Sequence, residues 1–121
     1  NIYNFIFTNK NLPEDLIPYW DYNALNIPNE PRDVSAATIT VSALYELSTY
    51  VSDMKYKETA DKIIEYLSAP SYRAEVGTNG NFILMHSVGS IPHGVEIDVP
   101  LNYADYYFLE ALIRKRDLEK R

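Results

Sequence analysis

Residues 81–114 read NFILMHSVGSIPHGVEIDVPLNYADYYFLEALIR and contain three successive kinds of segment. A short apolar run comes first and predicts one short β segment near residues 82–86. A polar loop follows, with two serines and both histidines of the chain: His86, Ser87, Ser90 and His93. An aromatic-rich segment then predicts a helix from about Asn102. An apolar run, a polar loop and a buried helix together can hold polar groups over a cavity, so a functional site is expected here.

The final helix has a recognisable buried side. Its apolar positions recur at helical spacing, namely Ala104, Tyr107, Phe108, Ala111 and Leu112. Asp105 and Glu110 lie off that stripe. Working outward from this helix, the remaining elements also read as helical, and we predict an all-α fold with the one short β segment.

Two earlier helices form a pair of different character. Asp33 is a predicted N-cap for a helix over residues 34 to about 51, which carries no charge before Glu46 and is therefore expected to be buried on most sides. The next helix, residues 56–68, has one apolar stripe and one charged face, as a surface helix does. An inner helix followed by an outer one is the repeating unit of a helical toroid.

The N-terminal third is less regular. Residues 1–8 are apolar and fit either a strand or the last turns of a helix. Residues 9–31 contain Pro13, Pro18, Pro28 and Pro31, which exclude continuous regular structure. The same segment is rich in apolar side chains, and a long apolar loop is usually packed and often functional.

Composition limits the function classes. The 121 residues are 46% hydrophobic and 23% charged, which predicts a single globular unit, residues 1–121. The net charge of −6 argues against nucleic acid as a partner, because polyanions attract basic surfaces. No apolar run approaches the roughly 20 residues of a membrane span, so no membrane partner is expected. Without cysteine there is neither a disulfide framework nor a thiolate metal site, which fits the cytoplasm and the periplasm equally.

Two features indicate that the chain is part of something larger. It begins with asparagine, not methionine, which suggests a piece of a longer chain. Three main helices are also too few to close a toroid, so the apolar inner helix would be left with one side uncovered. We therefore expect either self-association or a missing N-terminal part to cover it.

Two strings carry a resemblance to a known family. PYWDYNALNIPNEPRDVSAA (residues 18–37) and ILMHSVGSIPHGVEIDVPLNYADYYFLEALIR (residues 83–114), with the helix pair between them, resemble the C-terminal part of the unsaturated glucuronyl hydrolases, glycoside hydrolase family 88. EIDVPLNYADYYFLEAL (residues 96–112) is the most specific string. The related unsaturated rhamnogalacturonyl hydrolases are the main alternative within this resemblance.

The resemblance implies a fold and a reaction. The fold would be a six-hairpin (α/α)6 barrel, of which this chain would be the last third. The bacterial enzymes of the family remove the Δ4,5-unsaturated uronic acid that polysaccharide lyases leave on oligosaccharides. An aspartic acid protonates the C4=C5 bond, water adds at C5, and the hemiketal opens and expels the leaving sugar, without a metal or organic cofactor. The family's two catalytic aspartates lie in its N-terminal half, so no catalytic residue is assigned in this chain.

The resemblance also points to a sugar-reading loop. Family members carry a Ser-x-x-Ser-x-Lys pattern that contacts the leaving sugar and can read its sulfate. Ser87 and Ser90 match the serines, whereas Pro92 replaces the lysine and removes the charged contact. We therefore expect no strong preference for sulfated substrates. The alternative for both serines is that they only satisfy their own turn.

Four further residues are candidates for substrate contact. His86 follows the apolar run and is expected to face the cleft, with a core histidine as the alternative; His93 is the weaker candidate. Arg32 precedes the free N–H groups of the inner helix, which suit a carboxylate; a cap with a structural ion pair is its alternative. Trp20 either stacks on a sugar ring or packs within its loop.

Residues 81–114 also allow other interpretations. Two histidines seven residues apart, without a paired carboxylate, do not predict a metal site. Glu96 and Asp98 share one face if the segment is extended, but Asp98 is better interpreted as the cap of the following helix. A different class of function also fits, namely a non-catalytic helical carbohydrate-binding or interaction module.

Overall fold

The computed structural model describes residues 1–121 and contains four α-helices. They are α1 (Ile2–Phe7), α2 (Val34–Leu47), α3 (Lys55–Leu67) and α4 (Asn102–Glu119), with a short 3-10 turn at Asn79–Asn81. Extended backbone pairs only as isolated bridges. The predicted all-α class is therefore confirmed, and the open choice for residues 1–8 is settled in favour of a helix.

Helix α2 is the centre of the packing. The Asp33 carboxylate accepts hydrogen bonds from Ser35 N at 3.0 Å and Ser35 Oγ at 2.6 Å, which confirms the predicted N-cap. The helix ends at Leu47, earlier than residue 51. Its C-terminal hydroxyls turn back onto helical carbonyls, with Ser48 Oγ donating to Tyr45 O at 2.6 Å. Such local bonds compete with continuation of the helix.

Helices α3 and α4 cover two sides of α2. The predicted stripe of α3 is buried throughout: Ala60, Ile63, Ile64 and Leu67. From α4, Ala104, Phe108 and Ala111 are buried, whereas Tyr107 and Leu112 of the predicted stripe are only partly buried. Small side chains at Ala37, Ala60 and Ala111 let the helices approach closely around the shared core.

The predicted short β segment near residues 82–86 is reduced to a single antiparallel bridge, Arg73 with Leu84. The reason lies in α4. The Asp105 carboxylate accepts hydrogen bonds from Ile83 N at 2.8 Å and Leu84 N at 3.0 Å, where a neighbouring strand would otherwise pair. A helix side chain thus fixes the apolar run that leads into the polar loop.

The proline-rich loop of residues 9–31 is packed, as predicted. Ile17 is fully buried in the core, and Tyr19 is buried and bridged to Arg32. The loop therefore lies against the body of the molecule just ahead of α2.

One carboxylate ties three helices together. Asp61 of α3 accepts hydrogen bonds from Tyr45 Oη of α2 at 2.7 Å, Lys57 Nζ at 2.7 Å and Lys115 Nζ of α4 at 3.0 Å. Burial alone would raise the pKa of Asp61. The three hydrogen bonds outweigh burial and hold this pKa below its usual value.

We expect Asp61→Asn to lower the free energy of unfolding of the chain by about 1–2 kcal/mol at pH 7, since it removes charge-assisted hydrogen bonds. Because the folded-state pKa is depressed, the contribution is present above the unfolded value of about 3.9 and is lost as pH falls below it. Urea denaturation at pH 7 and at about pH 3 should therefore show a difference between variant and wild type that shrinks at the lower pH. Asp117→Asn is the matched control, because Asp117 is exposed and pairs only with its neighbour Arg116. An equal loss in the control, or a pH-independent difference, would contradict the assignment.

Candidate functional site

The polar loop forms a short hairpin over residues 86–99. Two antiparallel bridges, Ser87 with Val99 and Ser90 with Val95, join its arms. At the tip, Gly94 N donates to Ile91 O at 2.9 Å and Gly94 has φ +66°, a left-handed turn position that suits glycine. The four candidates His86, Ser87, Ser90 and His93 therefore lie on one structural unit.

The hairpin is anchored at the N-terminus of α2. Val34 N donates to His86 O at 3.0 Å, and Val88 N donates to the Asp33 carboxylate at 3.2 Å. The first two N–H groups of α2, those of Val34 and Ser35, are thus already bonded within the chain.

Three non-glycine residues of the hairpin have left-handed backbone conformations. The φ angles are +68° at His86, +54° at Glu96 and +52° at Asp98. Each such position costs on the order of 1–3 kcal/mol and persists only where the surroundings enforce it. Such strain concentrates at functional sites, and here it falls within the loop that carries the candidate residues.

His86 and Asp98 are paired across the base of the hairpin. The Nδ1 atom of His86 lies 2.6 Å from Asp98 Oδ1. The exposed fraction of the side chain is 43% for His86 and 56% for Asp98. The Tyr72 ring packs edge-to-face against the imidazole, with the two ring centroids 6.3 Å apart. The interpretation of Asp98 as a helix cap is wrong, because α4 is capped at Leu101 without a side-chain bond.

The two serines have different environments. Ser87 is fully buried and its Oγ has no hydrogen-bond partner, so its hydroxyl does not face solvent. Ser90 is partly exposed, and its Oγ lies 2.6 Å from His93 Nδ1 at the exposed tip. The tip therefore presents a hydroxyl–imidazole pair, whereas Ser87 contributes to the interior of the hairpin.

Gly89 has a packing role. A Cβ atom at this position would lie 1.9 Å from Glu96 Oε2 and 2.7 Å from Glu96 Cβ. Gly89 N also donates to Glu96 O at 2.7 Å. Gly94 is thus a turn residue, whereas Gly89 permits a close approach of the opposite arm.

Arg32 is held by groups within the chain. Its Nη1 donates to Asp15 at 2.8 Å and to Ile17 O at 2.8 Å, and its guanidinium lies over the Tyr19 ring. The Tyr72 hydroxyl donates to the same Asp15 carboxylate. Burial lowers the pKa of Arg32, but the hydrogen bond with Asp15, together with the charge interactions with Tyr72, Asp15 and Tyr19, outweighs burial and leaves this pKa above its ordinary value. These contacts match the structural ion pair considered above, and substrate contact by Arg32 stays a prediction.

Trp20 belongs to the neighbouring loop. Its Nε1 donates to Glu30 Oε2 at 2.7 Å, and the ring is partly buried. No hydrogen bond or ring contact joins it to the hairpin. Stacking of Trp20 on a sugar therefore remains a prediction.

Sequence reasoning missed the residues that connect these parts. Asp15 and Tyr72 join the proline-rich loop to Arg32, and Tyr72 also touches His86. Asp105 fixes the run before the hairpin. All three act over long sequence separations, so no local pattern could have identified them.

The main cavities do not lie at the hairpin. The largest, about 640 Å³, is an apolar groove between α1, α2 and Tyr56 of α3. Residues 86–99 line none of the main cavities and form an exposed rim instead. A binding cleft at the hairpin therefore needs a second wall.

No group of three or more metal-ligating side chains is assembled in the structure. None of the helices has the length and apolarity that crossing a membrane requires.

Comparisons with known proteins agree on one family. The chain is 47% identical over 114 residues to an unsaturated glucuronyl hydrolase of Formosa agariphila, covering 94% of this chain and 28% of that protein. It superposes with a TM-score of 0.95 and 48% identity on the crystal structure of an unsaturated glucuronyl hydrolase specific for heparin, covering 99% of this chain and 33% of the other. A Streptococcus agalactiae unsaturated glucuronyl hydrolase variant, solved with dGlcA-GalNAc6S, superposes with a TM-score of 0.78 at 31% identity, covering 90% of this chain and 30% of the other. No family model matches the chain.

These findings confirm the predicted resemblance to the unsaturated glucuronyl hydrolases. They also confirm the all-helical fold, which superposes on about one third of a solved enzyme. The chain spans only 28% of the length of the curated relatives it matches.

We expect Gly89→Ala to open the hairpin, because its Cβ would collide with the Cβ of Glu96 and not only with the flexible end of that side chain. Amide hydrogen exchange at residues 89, 90 and 95 should accelerate, while exchange in α2 stays slow. Gly94→Asn is the control, since nothing lies within 4 Å of its Cβ position and asparagine tolerates positive φ. Unchanged protection in Gly89→Ala would contradict the close approach.

Proposed function

We propose that this chain is part of an unsaturated glucuronyl hydrolase and supplies one wall of its cleft. The observation that carries the proposal is the near-complete superposition of the chain on one third of a solved enzyme of that name. The exposed polar hairpin without a facing wall agrees with a partial site.

The reaction is a hydration of a vinyl ether. An aspartic acid outside this chain delivers a proton to C4 of the unsaturated uronic acid, and water adds at C5. The hemiketal then opens to a 5-keto product and releases the leaving sugar as an alcohol. The acid must keep its proton until it is delivered, which requires a raised pKa in the cleft. Residues of this chain bind and orient the sugar, and none of them is assigned as the acid.

The hairpin is the part that reads the leaving sugar. His86, Ser90 and His93 present an imidazole, a hydroxyl and a second imidazole at accessible positions. Ser87 is buried, so its contribution runs through the backbone that positions its neighbours. Arg32 and Trp20, on the proline-rich side of the molecule, complete the proposed contact set.

The hairpin offers little attraction for sulfate. Residues 86–99 contain no lysine or arginine and carry two exposed carboxylates, Glu96 and Asp98. Pro92 occupies the position where the family pattern has lysine. We therefore expect an unsaturated uronic-acid oligosaccharide with an uncharged leaving sugar as the preferred partner. The heparin-specific relative and the complex with dGlcA-GalNAc6S support a carbohydrate partner in general.

The rest of the barrel covers an apolar surface that this chain leaves open. The apolar groove of α1 and α2 continues through Ile39 and Ala43 to a second concave surface against α4, and from there to Leu109 and Ile113. We call this surface the open face. Its large side chains are exposed: Ile2, Ile39, Leu47, Tyr106, Leu109 and Ile113. The ion pairs of Arg114 with Glu46 and Glu110 cross the middle of this surface, and large apolar side chains lie on both sides of them. Exposed apolar groups of this kind mark interaction surfaces, so we expect a covering partner.

We expect the chain alone to release no 5-keto product from an unsaturated chondroitin or hyaluronan disaccharide. Co-expression with the remaining part of the enzyme should restore turnover, measured as loss of the ultraviolet absorbance of the C4=C5 bond. Leu109→Asp on the open face should block restoration, because it places a charge in the covered interface. Tyr66→Asp is the control, since Tyr66 is exposed on α3 away from the open face. Turnover by the chain alone would contradict the proposal, and sugar binding without turnover in the natural gene product would favour the non-catalytic module.

We expect Pro92→Lys in the natural gene product to lower KM for a sulfated unsaturated disaccharide by about tenfold, from one added charge-assisted contact. KM for the unsulfated disaccharide should stay within about twofold, as nothing in that substrate pairs with the lysine. Steady-state kinetics on both substrates at low salt measure the difference. Lys10→Gln, on the proline-rich loop, serves as a control for general charge effects. An equal change on both substrates would contradict the role of this position in reading sulfate.

A further inference from the structure

We infer that Asp98 is a positioning residue, which fixes the imidazole of His86 with its proton on Nδ1 and leaves Nε2 as a hydrogen-bond acceptor at the rim. The inference rests on the geometry of the hairpin base. Its consequence for substrate binding rests in addition on the proposed function.

The first step is the hydrogen bond itself. His86 Nδ1 and Asp98 Oδ1 lie 2.6 Å apart, the distance of a strong charge-assisted bond. A carboxylate only accepts hydrogen bonds, so the proton between them belongs to Nδ1. In a neutral imidazole that bond determines the tautomer, and Nε2 then carries a lone pair and no proton.

The second step is that the protein enforces this pair at a cost. Both residues have positive φ, +68° at His86 and +52° at Asp98, although neither is glycine. The His86 carbonyl is held by Val34 N at the start of α2, and the imidazole packs against Tyr72. The backbone is thus bent at both ends of the pair so that the two side chains meet.

The third step concerns the free edge of the ring. His86 Nε2 has no hydrogen-bond partner in the chain, and the side chain is 43% exposed. The group that meets Nε2 in a complex must therefore be a donor, and the hydroxyl of a sugar is such a group. A carboxylate or sulfate would be repelled by the lone pair of Nε2 and by the Asp98 charge behind it. The pair accordingly selects for a hydroxyl at this position of the leaving sugar.

The other histidine provides an internal reference. His93 Nδ1 lies 2.6 Å from Ser90 Oγ, a hydroxyl that can donate as well as accept. No carboxylate contacts His93, so its tautomer is not fixed in the same way.

The test reads the tautomer directly in the natural gene product that contains this chain. With histidine-selective 15N labelling, two-bond 1H–15N correlation spectra distinguish protonated from unprotonated ring nitrogens, and His86→Gln and His93→Gln assign the signals. Above the titration midpoint found in the same spectra, His86 should carry its proton on Nδ1. In Asp98→Ala the population should move towards the Nε2-protonated form, while the His93 signals stay in place. A proton on Nε2 in the wild type, or an unchanged ratio in Asp98→Ala, would overturn the inference. The wild-type measurement needs no variant, so it decides the matter even where Asp98→Ala disturbs the hairpin.

A kinetic cycle tests the consequence for substrate. Asp98→Ala should raise KM for an unsaturated disaccharide about fivefold, the loss of one well-oriented hydrogen bond, with a smaller effect on kcat. In the His86→Gln background the same substitution should have no further effect, because Asp98 acts through His86. Additive effects would overturn the positioning role. If the gene product does not cleave the disaccharide, the proposed function fails, and the tautomer measurement alone then decides the inference.

Discussion

The carboxylate of Asp33 joins the helical body to the hairpin, and the arrangement of the site depends on it. It caps α2 through the amide and hydroxyl of Ser35 and also accepts a hydrogen bond from Val88 N. The same side chain therefore satisfies a free N–H group at the start of a helix and holds the backbone of a loop more than fifty residues away. Because Asp33 bonds both the first turn of α2 and Val88 N, it fixes the position of the hairpin relative to the start of the helix. The strained base of the hairpin, with its histidine–aspartate pair, is built on this joint.

The features that follow from local patterns were predictable. The cap at Asp33, the burial of most of α2 and the apolar stripe of α3 all follow from residue spacing and agree with the structure. The features that depend on distant partners were not. From its position off the apolar stripe, Asp105 was expected to face solvent. In the structure its carboxylate accepts hydrogen bonds from the backbone N–H groups of Ile83 and Leu84, where a neighbouring strand would otherwise pair. Asp98 looked like a cap because a helix follows it, but it has a positive φ and its carboxylate bonds His86 instead.

The candidate site was predictable as a segment but not in its details. The presence of both histidines and both serines in one polar loop identified the hairpin. The environments of the individual residues could not be predicted from sequence. Ser87 is buried, although its pattern suggests a contact residue. Arg32 forms an ion pair with Asp15, although its position beside a helix end suggests a free cation. The Arg32 contact arises from packing of the proline-rich loop, whose course has no repeating pattern, whereas Ser87 is paired with Val99 inside the hairpin. The open cleft at the hairpin and the uncovered open face both agree with the proposal that this chain supplies one wall of a larger site.

The burial of α2 has a consequence for biosynthesis. Two of the elements that cover α2 come after it in the chain: α3 follows closely, but α4 begins at Asn102, 55 residues after α2 ends at Leu47. At a synthesis rate of about 5–20 residues per second, this leaves the α4 side of α2 without its cover for about 3–11 s. An apolar helix whose one charged residue is Glu46 is, in that state, prone to aggregation and to binding by a chaperone that recognises nascent chains. The feature that stabilises the finished core is therefore the most vulnerable part of the chain while it is still being made.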